Sequence, residues 1–189
     1  TGSFLTGPYL MTPKTNGMVV VWELDKPMKS TITYGTSDAD KKTLEVPVEE
    51  GEKFKGESMH MYRARLTDLT PGTTYTYKVE TEDGQTMDGH FRTLPENSNE
   101  IRFVVVSDSH RFETATKVSD VIAQFDPDFI LHTGDMVEGT GSQKDQFPYW
   151  FQNVGSFLHN VPVIYNSGNH DYGAYFDEYV TKVQKEQYK

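Results

Sequence analysis

Asp108 and His110 stand two residues apart, Asp135 follows Gly134, and Asn169, His170 and Asp171 follow Gly168. Carboxylate oxygen, imidazole nitrogen and amide oxygen are donors that hard and borderline cations take. In extended backbone, residues i and i+2 project to one side, so Asp108 and His110 can grip a single ion. The two oxygens of Asp135 can bridge a pair of cations, and Asn169 offers a neutral oxygen to the second. His170 has the chemistry to protonate a leaving oxygen, and Asp171 to orient or charge that imidazole. Taken singly the clusters are bland. An Asp-x-His is more often a solvated loop, and Asn-His-Asp is an ordinary polar turn. Together they suggest a metal site suited to phosphoester hydrolysis.

Each cluster ends an apolar, strand-like run: Ile101 to Val106, Phe129 to Leu131, and Val161 to Tyr165. Ile101 to Val106 is almost wholly apolar, as a strand covered on both faces must be. Between the runs, Thr114 to Phe125 carries Ala115, Val118, Val121, Ile122 and Phe125 at helical spacing. Lys144 to Leu158 carries Phe147, Trp150, Phe151, Val154, Phe157 and Leu158, a helix face that reads as core rather than as a cofactor box. The pattern is βαβαβ, which predicts a parallel sheet with its strand ends gathered at one edge. Three carboxylates, two imidazoles and an amide then meet in one crevice. His132, inside a strand, is expected to pack or hydrogen-bond rather than ligate. Gly139-Thr140-Gly141-Ser142 lacks the rest of a phosphate-loop motif and reads as a flexible active-site loop. Tyr175 to Lys189 reads as a closing helix.

The chain carries a net charge of −10. Up to Pro95 there are 11 basic and 14 acidic residues, giving −3; beyond it 7 and 14, giving −7. The acidic second half argues against nucleic acid held in a basic groove and is compatible with bound cations. Cysteine is absent, which excludes disulfides, Cys-ligated zinc and a thiol nucleophile. No apolar run approaches the roughly 20 residues of a membrane span.

Residues 1–95 hold many short strand-like runs and no convincing helix: Met18 to Leu24, Ser30 to Tyr34, Met59 to Leu66, Thr74 to Thr81 and Gly89 to Thr93. Turn residues recur between them, which predicts an all-β sandwich. The stretch Leu69-Thr70-Pro71-Gly72-Thr73-Thr74-Tyr75 resembles the turn before strand F of fibronectin type III domains, with Tyr75 as corner tyrosine and Trp22 filling the core. As a fold alone implies little function, the sandwich is expected to be a structural spacer first and a substrate-side or partner-binding module second. His60 and His90 read as strand surface residues. The polar run from Pro95 to Glu100 places a domain boundary between residues 1–95 and 101–189.

Asp-x-His, Gly-Asp and Gly-Asn-His-Asp, in this order and after three strands, resemble the first three motifs of the calcineurin-like metallophosphoesterase superfamily. The preceding sandwich makes the whole similar to its purple acid phosphatase branch. That resemblance implies that Asp108, His110 and Asp135 hold a first metal, that Asp135 bridges to a second, and that Asn169 ligates the second. It implies two divalent or trivalent ions (Fe, Mn or Zn), a water activated by them attacking phosphorus in line, and His170, supported by Asp171, serving the leaving oxygen. The partner is a phosphate ester. Purple members have Gly at the position of His110 and Tyr at that of Glu138, so the iron–phenolate colour is not expected. The family also supplies further His ligands, including Gly-His-x-His, from a second half of the catalytic domain, whereas His170 is the last of six histidines here. The chain is therefore expected to be a fragment or one piece of a complex: the first half of the catalytic domain, with the missing C-terminal half as partner, bare apolar surface where that half packs, and little activity alone. The contrasting expectation is a non-catalytic binding or adhesion module whose fibronectin-like domain recognises a partner. A phosphodiesterase such as a nucleotidase is a third. The fibronectin-like domain suggests an extracellular or periplasmic location.

Overall fold

The computed structural model describes residues 2–51, 56–110, 113–138, 143–153 and 157–187. The loop Gly139-Thr140-Gly141-Ser142, Val154 and the last two residues of the expected closing helix lie outside them. Eight strands come first: β1 (Phe4–Met11), β2 (Met18–Leu24), β3 (Ser30–Gly35), β4 (Lys42–Val46), β5 (Val48–Glu50), β6 (His60–Leu66), β7 (Thr74–Thr81) and β8 (Thr86–Arg92). They form two antiparallel sheets, β1-β2-β6-β5 and β4-β3-β7-β8, so the expected sandwich is present. The corner tyrosine is in place, its hydroxyl accepting from the Thr70 backbone N–H at 2.9 Å. Trp22 is fully buried, donates to Ser30 Oγ at 3.2 Å and stacks on Tyr62.

The second half supplies β9 (Phe103–Val106), α1 (Glu113–Gln124), β10 (Phe129–His132), α2 (Gln143–Asn153) and β11 (Val163–Tyr165). The three strands pair in parallel, in the order β11-β10-β9. The closing helix is one run of α3 (Ala174–Phe176), a π-helical stretch (Asp177–Thr181) and α4 (Lys182–Gln187). The wider π turn lets three consecutive residues, Glu178, Tyr179 and Val180, all be buried.

Strand β2 shows how the two halves are joined. Side chains alternate across a strand, and every residue of β2 is buried. Val20, Trp22 and Leu24 enter the sandwich core with Leu10, Tyr62 and Phe91. Val19 and Val21 enter a second core with Tyr9, Met11 and Met61, shared with α2, β11 and the closing helix. The sandwich is thus more than a spacer: one of its sheets is a wall of the second core. That wall carries buried polar groups. Arg63 donates to the Glu178 carbonyl at 2.6 Å and to its carboxylate at 3.2 Å, and to Glu49 at 2.6 Å. Tyr179 OH donates to Glu23 at 2.6 Å, and Tyr9 OH to the Tyr179 carbonyl at 2.7 Å.

One expectation about covering needs correction. Strand β9 lies at the sheet edge and is covered on one face only: Phe103 and Val105 are 53% and 55% exposed. On α1 the apolar stripe is wider than the sheet below it. Ala115 and Ile122 face inward, while Val118, Val121 and Phe125 are mostly exposed. The bare apolar surface that was expected is there, on Phe103 and Val105 beside the half-buried Phe129, Leu131 and Ile164. Among the described residues no helix is long and apolar enough to cross a membrane.

Burial pushes the Glu23 carboxyl up to about 7, against hydrogen bonds from Tyr179 and Thr6 that favour its charged form. A carboxyl whose folded pKa is raised contributes stability below its unfolded pKa and loses it as pH rises through the folded one. Glu23→Gln keeps an acceptor for Tyr179 and removes the charge. It should raise stability by about 1–3 kcal/mol above pH 7, a gain that vanishes towards pH 4.5. Urea denaturation of both chains at pH 8 and pH 4.5 reads the difference.

Candidate metal centre

The loop after β9 carries Asp108 and His110, that after β10 carries Asp135, and that after β11 carries Asn169 to Asp171. Parallel pairing brings all three loops to one edge of the sheet, and backbone hydrogen bonds hold two of them against each other. Asp108 N–H donates to the Gly134 carbonyl at 3.0 Å and His110 N–H to the Asp135 carbonyl at 3.1 Å. The close approach explains both glycines. A Cβ on Gly134 would lie 2.5 Å from the Gly168 nitrogen, and one on Gly168 would lie 2.0 Å from Asp135 Oδ1. Gly134 also holds φ +125°, a conformation L side chains avoid.

Asp108, His110 and Asp135 each offer one ligand atom, and the three atoms lie within 4.8 Å of one another. Two oxygens and one imidazole nitrogen suit a Zn, Fe or Mn ion, so this donor set fits one cation. His110 Nδ1 lies 2.8 Å from the Val137 carbonyl oxygen. That oxygen can only accept, so Nδ1 carries the proton. Among the described residues no Lys or Arg pairs with Asp108 or Asp135, and two carboxylates this close repel unless a cation offsets them.

The other expected residues sit differently. His170 is half-exposed at the rim. Its backbone N–H donates to Asp135 Oδ1 at 3.1 Å, its Nε2 lies 4.0 Å from Asp135 Oδ2, and its ring meets that of His110 edge-on at 5.5 Å. Gln143 fixes the His170 and Tyr172 carbonyls at 3.1 Å each. Asn169 is exposed on the same turn, and its side chain makes no hydrogen bond among the described residues.

Asp171 departs from the expected role of orienting His170. It is fully buried, and its carboxylate accepts four backbone N–H groups: Asp135 at 2.7 Å, Met136 at 2.9 Å, Val137 at 3.2 Å and Gly168 at 2.9 Å. Both oxygens are spent on main chain, so Asp171 positions the second and third loops rather than the imidazole. Sequence reasoning placed it in the site but could not see its partners, because backbone donors leave no residue signature.

His132 hydrogen-bonds, as expected. It is buried; burial pushes its imidazole down to about 4, against nearby carboxylates that favour the charged form. Gln146, part of the aromatic α2 face, is buried too and accepts from Glu138 N–H at 2.9 Å.

Residues 9–93 match the family model of the purple acid phosphatase N-terminal domain, and residues 101–188 that of the calcineurin-like phosphoesterases. Among solved structures, a purple acid phosphatase from yellow lupin (Lupinus luteus) seeds is 21% identical with a TM-score of 0.67, the match covering 87% of this chain and 35% of that one. A structure of PhoD is 15% identical with a TM-score of 0.63, covering 86% and 38%. The chain therefore spans little more than a third of either neighbour. None of the curated proteins matches it. At these identities the neighbours show the fold, and together with the family models they bear out the resemblance drawn from the three motifs.

Asp171→Asn should loosen the centre without touching a metal donor. An amide has one oxygen, and its NH₂ would face N–H groups. About 3 kcal/mol of stability should be lost, as buried donors are left unpaired. Chemical denaturation measures the loss, and Asp171→Ala should cost no less.

Proposed function

From a chain built as a purple acid phosphatase-type N-terminal domain followed by calcineurin-like phosphoesterase sequence, we propose that the protein is the N-terminal part of a metal-dependent phosphoester hydrolase. The observation that carries this is the convergence of Asp108, His110 and Asp135 on one point at the strand ends. In this reading residues 1–95 are the sandwich and residues 101–189 the first half of the catalytic domain. The bare face around Phe103 and Val105 is where the remaining C-terminal half would pack, since apolar surface of this kind is normally covered. A secreted or periplasmic setting accords with the sandwich.

Bound metal ions would supply positive charge for the phosphate oxygens and lower the pKa of a water. The chain's own residues do the rest. Asp108, His110 and Asp135 would hold the first ion. Asp135, whose Oδ1 and Oδ2 lie beside the His170 backbone N–H and Nε2, and Asn169, exposed on the same turn as His170, would hold a second. His170, at the rim and half-exposed, is free to meet the leaving oxygen of a phosphate mono- or diester and give it a proton. Asp171 keeps the Asp135 and Gly168 backbones in register. The adhesion alternative loses the outer face of the β1-β2-β6-β5 sheet, which is buried in the second core, and would have to use the exposed face of β4-β3-β7-β8.

Titration of the 189-residue chain with Mn²⁺ tests the centre. Binding is expected, and Asp135→Asn should weaken it by about 10–100-fold, as the carboxylate that both ions would share is lost. Equal affinity in the two chains would remove the proposed site. In the parent protein the same substitution should abolish turnover of p-nitrophenyl phosphate, while the 189-residue chain alone should show little.

A further inference from the structure

Strand β10 turns Ile130 and His132 into the core, fully buried at the floor of the crevice. An apolar side chain would pack there without needing partners, whereas a buried imidazole must find two. Both are present. Gly134 N–H donates to His132 Nδ1 at 3.2 Å, which fixes Nδ1 as the acceptor and Nε2 as the protonated nitrogen. Nε2 then donates to Ser109 Oγ at 2.9 Å. The same hydroxyl accepts from Trp150 Nε1 at 2.8 Å, and the Trp150 ring meets the imidazole edge-on at 5.5 Å.

The two ends of this relay are informative. Ser109 sits between Asp108 and His110, and Gly134 immediately precedes Asp135. One ring therefore grips the two loops that carry all three donors of the first ion. Those donors also hold strained backbone: φ is +49° at Asp108, +44° at His110 and +57° at Asp135. Side-chain-bearing residues rarely rest there unless their surroundings hold them.

We propose that His132, acting through Ser109 and braced by Trp150, is a positioning residue that locks the Asp108–His110 loop over Asp135. This rests on the metal-site reading above for its consequence, though not for its geometry. His132 is buried and lies outside the Asp108, His110 and Asp135 donor set. Its contribution is to keep the donors convergent before an ion arrives.

Three variants of the 189-residue chain test it: Ser109→Ala, His132→Leu and His132→Gln. Gln retains an N–H near the place of Nε2 and so keeps the Ser109 contact. The first readout is amide hydrogen exchange at Asp108 and His110, which needs no metal. Ser109→Ala and His132→Leu should speed exchange there at least tenfold, His132→Gln should stay near wild type, and the Thr70 amide at the sandwich turn should not change. The second readout is the Kd for Mn²⁺, which should rise about tenfold or more in the first two variants and recover in the Gln variant. Wild-type exchange and affinity in Ser109→Ala would overturn the proposal, as would equal damage from His132→Leu and His132→Gln. Should the wild-type chain bind no Mn²⁺, the metal reading fails and hydrogen exchange alone decides the positioning role. Ser109→Ala removes one oxygen, so it keeps the test open if His132→Leu does not fold.

Discussion

The centre depends on one carboxylate that never faces it. Asp171 gathers four backbone N–H groups from two loops that are far apart in sequence. Hydrogen bonds to a charged acceptor are stronger than neutral ones, and a buried set leaves little freedom for the groups that make it. Residues 135–137 are pinned to Gly168 as a result, and Asp135 takes its place from its own pinned backbone. The two facing glycines follow from the same constraint: the loops come so close that neither has room for a side chain.

A second constraint lies below the sheet. Strand β2 has to be apolar on both faces because it divides two cores, and the alternation of a strand sends neighbouring residues into different ones. The polar groups in that wall are arranged to limit the cost of burial. Arg63 meets Glu178 and Glu49, and Lys182 also reaches Glu178. Glu23 has hydroxyl donors and, among the described residues, no cation beside it, so burial penalises its charged form and its pKa rises. The sandwich and the α/β part are in this way held by shared core and by charge, which makes the sandwich a foundation for α2 and the closing helix.

Much of the fold was legible in the sequence. The runs at Met18 to Leu24 and Thr74 to Thr81 carry their strand signal in β-branched and aromatic residues, and both became strands with the expected bounds. What escaped has physical reasons. Strand β1 contains Gly7 and Pro8, which weaken a strand signal, and its pairing with β2 is irregular there. Strands β4 and β5 are short and largely polar or exposed. The two-faced burial of β2 is a tertiary fact that one strand's composition cannot distinguish from a sandwich core. At the centre, the convergence of Asp108, His110 and Asp135 was readable from motif order, since strand ends must gather at one edge. The duties of Asp171 and His132 were not, because both act on main chain or on a serine with no motif of its own.

The strained backbone indicates what these supports are for. Three donor-bearing residues stay in the left-handed region, at a cost of roughly 1–3 kcal/mol each. The loop-to-loop hydrogen bonds from Asp108 and His110, the carboxylate of Asp171 and the imidazole of His132 offset that cost within the fold itself. Donors already convergent need little reorganisation when a cation binds, so its affinity is not reduced by having to order three loops at once. Under the proposed metal site, the unfavourable φ angles, the facing glycines and the buried hydrogen-bond anchors have one explanation: the rim is assembled by the protein before any cation binds.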